Sequence, residues 1–356
     1  MPAARAGHLL LVRPTATGGL SAHVDQERDA LRALGIDVRE ADVEIRPRPH
    51  LGADLRTVRT LRRALRRPGT GSAPVAVHAH GLRAGALTAI ARGRASPPRL
   101  VVTLHNRIDG SLPVRAIGAL LLRILARRAD VVLAVSPDLA EAARRAGARD
   151  VRHAIIPATP GPSDLSLRTT GDQTAAGDTE ILEVLVVARL AAQKGLPTLL
   201  DAAAEVERCA PGRVRIRIAG EGPLREEITR RILRESLPVQ LLGRRADVPA
   251  LLETADVVVS AADWEGQPVG LQEALHAGRA IIATDAGGTR WVTADAATLV
   301  PVGDADALAR QILAHRDPRR RRTAETASRR RAAELPDARD MTDQLRAVLP
   351  PHPRDW

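Results

Sequence analysis

Two glutamates stand eight positions apart in the stretch WEGQPVGLQEALHAG, Trp264–Gly278. Glu265 falls in a Gly/Pro loop, and Glu273 falls in the first turn of a predicted helix. A carboxylate can accept two hydrogen bonds side by side, so each could hold a polyhydroxyl ligand. Between them, Gly266, Gln267 and Pro268 make a turn. Its N–H groups, with those of Val269, Gly270 and Leu271, would open toward an anion at a helix N-terminus. Upstream, Arg189 and Lys194 flank a predicted strand-to-helix turn, where a guanidinium and an ammonium could neutralise developing negative charge. Lys194 is the sole lysine of an arginine-rich chain, which hints that a compact point charge is wanted there. The bland alternative is a solvated cation pair, a Glu273 favoured by the helix dipole and a Glu265 on the surface.

In the first half, Gly18-Gly19 turns tightly after a first strand, and His105 ends another strand in TLHN. His78 and His80 share one face of a strand in HAHG, a spacing that mimics a metal pair. No third ligand stands near them in sequence, so no metal is expected. Asp304-Ala305-Asp306 precedes ALARQIL and reads as a helix N-cap.

These residues need a scaffold, and the chain alternates short apolar runs with helical patterns. HLLLV (8–12), VAVHAH (75–80), LVVTLH (100–105) and DVVLAVS (130–136) are the early runs, with a helix over about 21–34 after the first. After a Pro/Gly/Ser/Thr-rich stretch the alternation restarts with EVLVVARL (183–190), RVRIRIAGEGP (213–223), VQLLG (239–243), DVVVSAA (256–262) and AIIATDAGG (280–288). Such alternation predicts an α/β protein of two doubly wound, Rossmann-like domains facing across a cleft, with ligands at the strands' carboxyl ends. The expected division is 1–157, a linker 158–180, a second domain 181–335 and a tail 336–356 packing back on the surface. The Arg-rich segment from about Pro318 reads as surface helix.

Composition narrows the classes. The 356 residues are 44% hydrophobic and 27% charged, with one cysteine, no Phe and no Tyr. The lone Cys209 excludes an internal disulfide and a cysteine-based metal site and fits a reducing cytoplasm. The net charge of +11 is uneven: residues 1–157 hold 26 Arg against 13 acidic residues, and the rest hold 27 Lys+Arg against 29. Nucleic-acid binding by base stacking calls for aromatics that this chain lacks. The segment DLRTVRTLRRALRRPG (54–69) places Leu55, Val58, Leu61 and Leu65 on one helical face amid arginines. Two readings stay open for it: a solvated surface helix, or a basic amphipathic helix lying on an anionic membrane. LPVRAIGALLLRILARR (112–128) is either a second such surface or a buried helix.

The order Arg189…Lys194-Gly195, Gly220-Glu221-Gly222-Pro223, Glu265-Gly266-x-Pro268-x4-Glu273-Ala274, Gly287-Gly288-Thr289 resembles the family 4 glycosyltransferases, retaining enzymes of GT-B architecture. The resemblance spans nearly the whole chain, including GG-x3-HV at 18–24 and the TLH strand end at His105. It implies transfer of a sugar from a nucleotide-diphosphate donor, a UDP- or GDP-sugar, to a hydroxyl of a sugar, lipid or small-molecule acceptor. By the same resemblance, Arg189 and Lys194 stabilise the departing diphosphate, Glu265 meets the transferred sugar and Glu273 takes the ribose diol. His105 lies near the reacting sugar. Gly18, Gly19, Gly220, Gly243, Arg244 and the 266–271 segment would line the donor, and His23 and His80 the acceptor side. No cofactor and no metal are implied. One segment departs from the pattern: Pro157-Ala158-Thr159-Pro160 stands where family members commonly read Pro-Asn-Gly-Val-Asp, which bears on the cleft wall and hinge.

The competing readings are a GT-B nucleotide-sugar epimerase, which needs further acid/base residues, and an arginine-rich nucleic-acid binder, which the missing aromatics count against. The expected location is the cytoplasm, with peripheral contact to the inner membrane face under the amphipathic reading.

Overall fold

A computed structural model describes residues 7–15, 19–46, 49–66, 74–93, 98–158 and 181–350. Gly18 and nearly all of the expected linker, 159–180, lie outside them. The chain divides into two compact units, Met1–Ile156 with Pro336–Trp356, and Pro157–Leu335.

The first unit runs β1 (His8–Val12), α1 (Gly19–Ala33), β2 (Val38–Glu40), α2 (Leu51–Arg66), β3 (Pro74–His80), α3 (Leu82–Arg92), β4 (Arg99–Leu104), α4 (Leu112–Ala126), β5 (Val131–Ala134), α5 (Pro137–Arg145) and β6 (Val151–His153). Its strands form one parallel sheet in the order β2-β1-β3-β4-β5-β6. Central strands read as unbroken apolar runs because helices cover both faces, and β1 is buried throughout. The chain reverses direction across the sheet between β1 and β3, and a doubly wound sheet opens its ligand crevice at that point.

The second unit runs β7 (Leu182–Val187), α6 (Leu196–Cys209), β8 (Val214–Ala219), α7 (Arg225–Glu235), β9 (Val239–Gly243), α8 (Val248–Glu253), β10 (Val257–Ser260), α9 (Val269–His276), β11 (Ala280–Thr284), α10 (Thr289–Thr293), β12 (Ala297–Val300), α11 (Ala305–Ala314) and α12 (Pro318–Ala332). The parallel order β12-β11-β10-β7-β8-β9 puts its switch point between β7 and β10. Asp304 caps α11 by accepting the Ala307 N–H at 2.8 Å, as the sequence predicts.

Three strands escape the sequence reading: β2, β6 and β12, of three or four residues each. All are sheet edges, too short for a periodic signal, with side chains that stay largely outside the core.

The C-terminal segment packs back on the two units through specific contacts. In α12, the Ser328 hydroxyl is buried and donates to the Arg279 carbonyl at 2.7 Å, and Arg331 donates to the Val292 and Trp291 carbonyls. The final helix α13 (Ala338–Val348) belongs to the first unit and buries Met341, Leu345 and Val348. It is tied there by Arg99 Nε to Val348 O at 2.6 Å, and by Gln344 to His153 O and the Ile155 N–H.

Helix α2 also departs from expectation. Thr57, Leu61 and Leu65 are its buried residues and the helix packs on α3, while Leu55 is exposed. Of the apolar stripe that suggested a membrane surface, Leu61 and Leu65 are therefore spent on the unit's own core and Val58 is half-buried. Helix α4 does the reverse: Gly118, Leu122, Leu125 and Ala126 face inward, and Leu112, Val114, Ile117 and Leu120 stand exposed.

Candidate functional site

In the second unit, the loop after β7 and the loop after β10 flank the switch point. The first carries Arg189 and then a single 3₁₀ turn, Ala192–Lys194, closed by Gly195. Gly195 has φ +58°, and an added Cβ would lie 1.8 Å from the Ala261 carbonyl oxygen of the other loop. Only glycine lets the two loops close to this distance. Backbone and side-chain bonds then zip them together: Asp263 N–H donates to Gln193 O at 2.9 Å, and Gln193 Nε2 donates to Trp264 O at 2.9 Å.

The zipper ends on Lys194 Nζ and Glu265 Oε1, which are 2.5 Å apart. Glu265 is only 8% exposed, so its carboxylate is held by the chain's single ammonium. Two residues assigned to different parts of a donor, the diphosphate cation and the sugar carboxylate, thus meet directly. Arg189 is exposed, and among the described residues its guanidinium has no ion pair.

Helix α9 begins at Val269, which puts Glu273 at the start of its second turn rather than in the first. The N-terminal amides are not all open as expected. Pro268 has no N–H, and the Leu271 and Gln272 N–H groups already donate to Pro268 O at 3.0 and 3.2 Å. Val269 and Gly270, at the first two helical positions, have N–H groups with no acceptor inside the helix. Gly266 is buried and Gln267 is half-buried. Glu273 is half-buried, with no ion-pair partner among the described residues, and burial raises its pKa above the ordinary carboxyl value. Its neighbour Gln272 is buried and accepts the Ala158 N–H at 3.0 Å, which ties the departing Pro157-Ala158 segment to the helix that bears Glu273.

Gly220 has φ +156° and an added Cβ would lie 1.8 Å from Ala188 O, so the residue lets two loops of the protein meet. Its N–H donates to Gly243 O at 2.8 Å, and Gly243 itself sits at φ +72°. Arg244 is exposed beside them.

In the first unit, residues from three elements and one loop converge at the switch point. His23 and Glu27 lie one turn apart on α1, His78 and His80 end β3, Thr103 lies on β4 and His105 follows it. Glu27 Oε1 accepts from His78 Nδ1 at 2.5 Å, and His78 Nε2 pairs with Thr103 Oγ1 at 2.7 Å. His80 Nδ1 lies 3.2 Å from His105 Nε2. Burial drives the pKa of His80 well below the ordinary imidazole value, helped by His78 and His105. For His105, half-buried at the edge, burial acts first and His23 and His78 add to it. His23 is lowered by burial against an opposing pull from Glu27. Gly19 opens α1, after the undescribed residues 16–18. Sequence reasoning missed Gln193, Trp264, Gln272 and Glu27. The i,i+4 spacing of His23 and Glu27 was the available signal for the last of these.

The descriptions of known families fit these two units in turn. A glycosyl transferase 4-like domain model matches residues 3–159, and a glycosyl transferases group 1 model matches residues 182–316. No curated protein matches the sequence. Among solved structures, Anabaena HepE in complex with UDP is 22% identical with a TM-score of 0.72, covering 96% of this chain and 99% of its own. Sucrose-phosphate synthase from Thermosynechococcus elongatus is 20% identical with a TM-score of 0.75 over 96% and 98% of the two chains. The UDP-forming α,α-trehalose-phosphate synthase of Burkholderia vietnamiensis is 16% identical with a TM-score of 0.75 over 96% of each. At these identities the neighbours show the fold, two Rossmann-like domains of GT-B type, and the two family models together span most of the sequence. The chain is accordingly a glycosyltransferase of GT-B type, with a 4-like domain ahead of a group 1 domain.

Proposed function

We propose that this protein transfers a sugar, with retention at the anomeric carbon, from a nucleotide-diphosphate sugar to an acceptor hydroxyl. The observation that carries the reading is the convergence of Lys194, Glu265 and the α9 N-terminus at the switch point of the second unit. An unpaired Arg189 beside that loop supplies a cation for the diphosphate, and Lys194 supplies a second one when the donor's charge competes with Glu265. Glu273 accepts hydrogen bonds from the ribose hydroxyls. In the reaction the bond from the anomeric carbon to the diphosphate oxygen breaks, and the acceptor oxygen bonds to that carbon on the same face. The acceptor proton passes to a phosphate oxygen of the leaving diphosphate. UDP is the first nucleotide to try, since HepE is bound to UDP and to UDP-glucose in its structures. The first unit takes the acceptor, and no cofactor or metal enters the transfer step.

Thermal shift against UDP, GDP, ADP and their sugars tests the donor site. One nucleotide is expected to stabilise the protein, and Glu273→Ala is expected to weaken its binding by at least about tenfold, the loss of a charge-assisted hydrogen bond or more. Unchanged nucleotide binding in the variant would sink the ribose assignment. The pH dependence has a defined sign. Because burial raises the Glu273 pKa, the carboxylate needed for the diol is present above that raised value and lost as pH falls through it. Nucleotide affinity should therefore begin to fall at a higher pH than an ordinary glutamate would give, and the pH term should vanish in Glu273→Gln.

A peripheral membrane contact, if the acceptor is a lipid, belongs on α4 rather than α2. Leu112 is 78% exposed and Leu120 58%, with exposed Arg115 and Arg123 on the same helix. Sedimentation with anionic phospholipid vesicles should pull down the wild-type protein, and Leu120→Asp should abolish most of that binding. Equal binding by both, or none by the wild type, would remove the membrane reading.

A further inference from the structure

The histidine cluster of the first unit, which the resemblance places on the acceptor side, also holds Glu27, to which the transfer step gives no role. We propose that His23 Nε2, Glu27 Oε2 and His80 Nε2 form a binding site for a divalent transition-metal ion of the zinc class.

The geometry comes first. The ligand atoms of His23, Glu27 and His80 all lie within 4.8 Å of one another. His23 Nε2 is 3.8 Å and His80 Nε2 is 3.6 Å from Glu27 Oε2. A tetrahedral ion with bonds of about 2.1 Å would need neighbouring ligand atoms about 3.4 Å apart, so small side-chain movements suffice. Two imidazole nitrogens and one carboxylate oxygen are a donor set that zinc accepts, and the fourth position is left for water.

The hydrogen-bond record points the same way. Glu27 is 1% exposed and His80 is fully buried, yet among the described residues neither Glu27 Oε2 nor His80 Nε2 has a hydrogen-bond partner. A buried carboxylate oxygen and a buried imidazole nitrogen left bare are costly, and here they face each other. A cation between them would satisfy both.

The supporting shell is already built. Glu27 Oε1 is held by His78, which is held in turn by Thr103, and this fixes the carboxylate with its second oxygen turned toward His23 and His80. His80 Nδ1 is occupied by His105 Nε2. Such outer partners orient metal ligands and set their tautomers. A metal on His80 Nε2 would put the proton on Nδ1, which would then donate to His105 Nε2 and leave the His105 proton on Nδ1. Arg13, whose charge reaches His80, is paired with Asp25 and Glu40 at 2.9 and 3.0 Å. The sequence reading of His78 and His80 as a pair without a third ligand therefore missed the helix: Glu27 and His23 arrive from α1.

Zinc binding can be read without donor or acceptor, so this site and the transferase reading fail separately. The full-length protein, stripped with a chelator and dialysed, is titrated with Zn²⁺ against a chromophoric chelator. One equivalent is expected to bind, and Glu27→Gln and His23→Gln should each weaken it by about 100-fold or more. The exposed Cys209 and His50 remain in both variants and control for adventitious binding. Co²⁺ in place of zinc should give the intense visible bands of a four-coordinate ion in the wild type. Wild-type protein that binds no zinc, or folded variants that bind it equally well, would overturn the proposal. Should a variant fail to fold, the wild-type stoichiometry and the Co²⁺ spectrum still decide it.

Discussion

Replacing Lys194 with alanine is expected to lower kcat by about 10²–10³-fold, the usual cost of deleting a group that stabilises transition-state charge. Lys194 contacts the Glu265 carboxylate at 2.5 Å. That contact orients the ammonium at the switch point. The substitution acts twice. It removes the cation, and it leaves Glu265 buried without its counter-charge, a change that raises the energy of the site as well. Glu265→Gln should separate the two effects, because it frees the ammonium while keeping the shape. If the pair acts as a unit, the double variant should be no slower than the worse single variant. Steady-state kinetics on the three proteins measure this coupling, and full additivity would mean that the two residues work independently. A Lys194→Ala enzyme within a few-fold of wild type would end the leaving-group assignment.

The second large effect is on stability. Gly195→Ala should destabilise the protein by about 2–5 kcal/mol. That figure joins about 1–2 for a left-handed alanine to about 1–3 for overpacking. The glycine's φ of +58° is one cause, and the 1.8 Å approach of an added Cβ to the Ala261 carbonyl oxygen is the other. Backbone oxygen cannot swing aside as a side-chain tip can, so the two loops would have to part. Gly212 isolates the terms, since its φ is +67° and nothing lies within 4 Å of an added Cβ. Gly212→Ala should cost only the backbone term, about 1–2 kcal/mol. Urea unfolding of both variants gives the comparison, and equal losses would show that loop contact contributes nothing. Because the parted loops carry Lys194 and Glu265, Gly195→Ala should also lose activity beyond its loss of folded protein.

How much of this was legible from sequence depended on the range of each signal. Strand and helix positions near the centre of each sheet were readable, since HLLLV, LVVTLH or DVVVSAA carry the apolar continuity that two-sided burial demands. The edge strands β2, β6 and β12 were not, for they have no such demand. Asp304 was readable as a cap because capping is a local bond over three residues. The apolar face of α2 was readable as a stripe, but which of its residues are buried was not, because only packing against α3 selects Thr57, Leu61 and Leu65 and leaves Leu55 exposed.

The sequence by itself determined the architecture and the inventory of the candidate site. Alternation of apolar runs and helices, with Arg189, Lys194, Glu265 and Glu273 each following a strand, follows from local periodicity and from spacing along the chain. Tertiary structure alone decided who meets whom. Lys194 and Glu265 are 71 positions apart, and Glu27 and His78 are 51 apart. Strand order brings these partners together, because β7 lies beside β10 and β1 beside β3. Parallel sheets place at one crevice the strand ends that the chain visits far apart in sequence, and no local pattern records such a pairing.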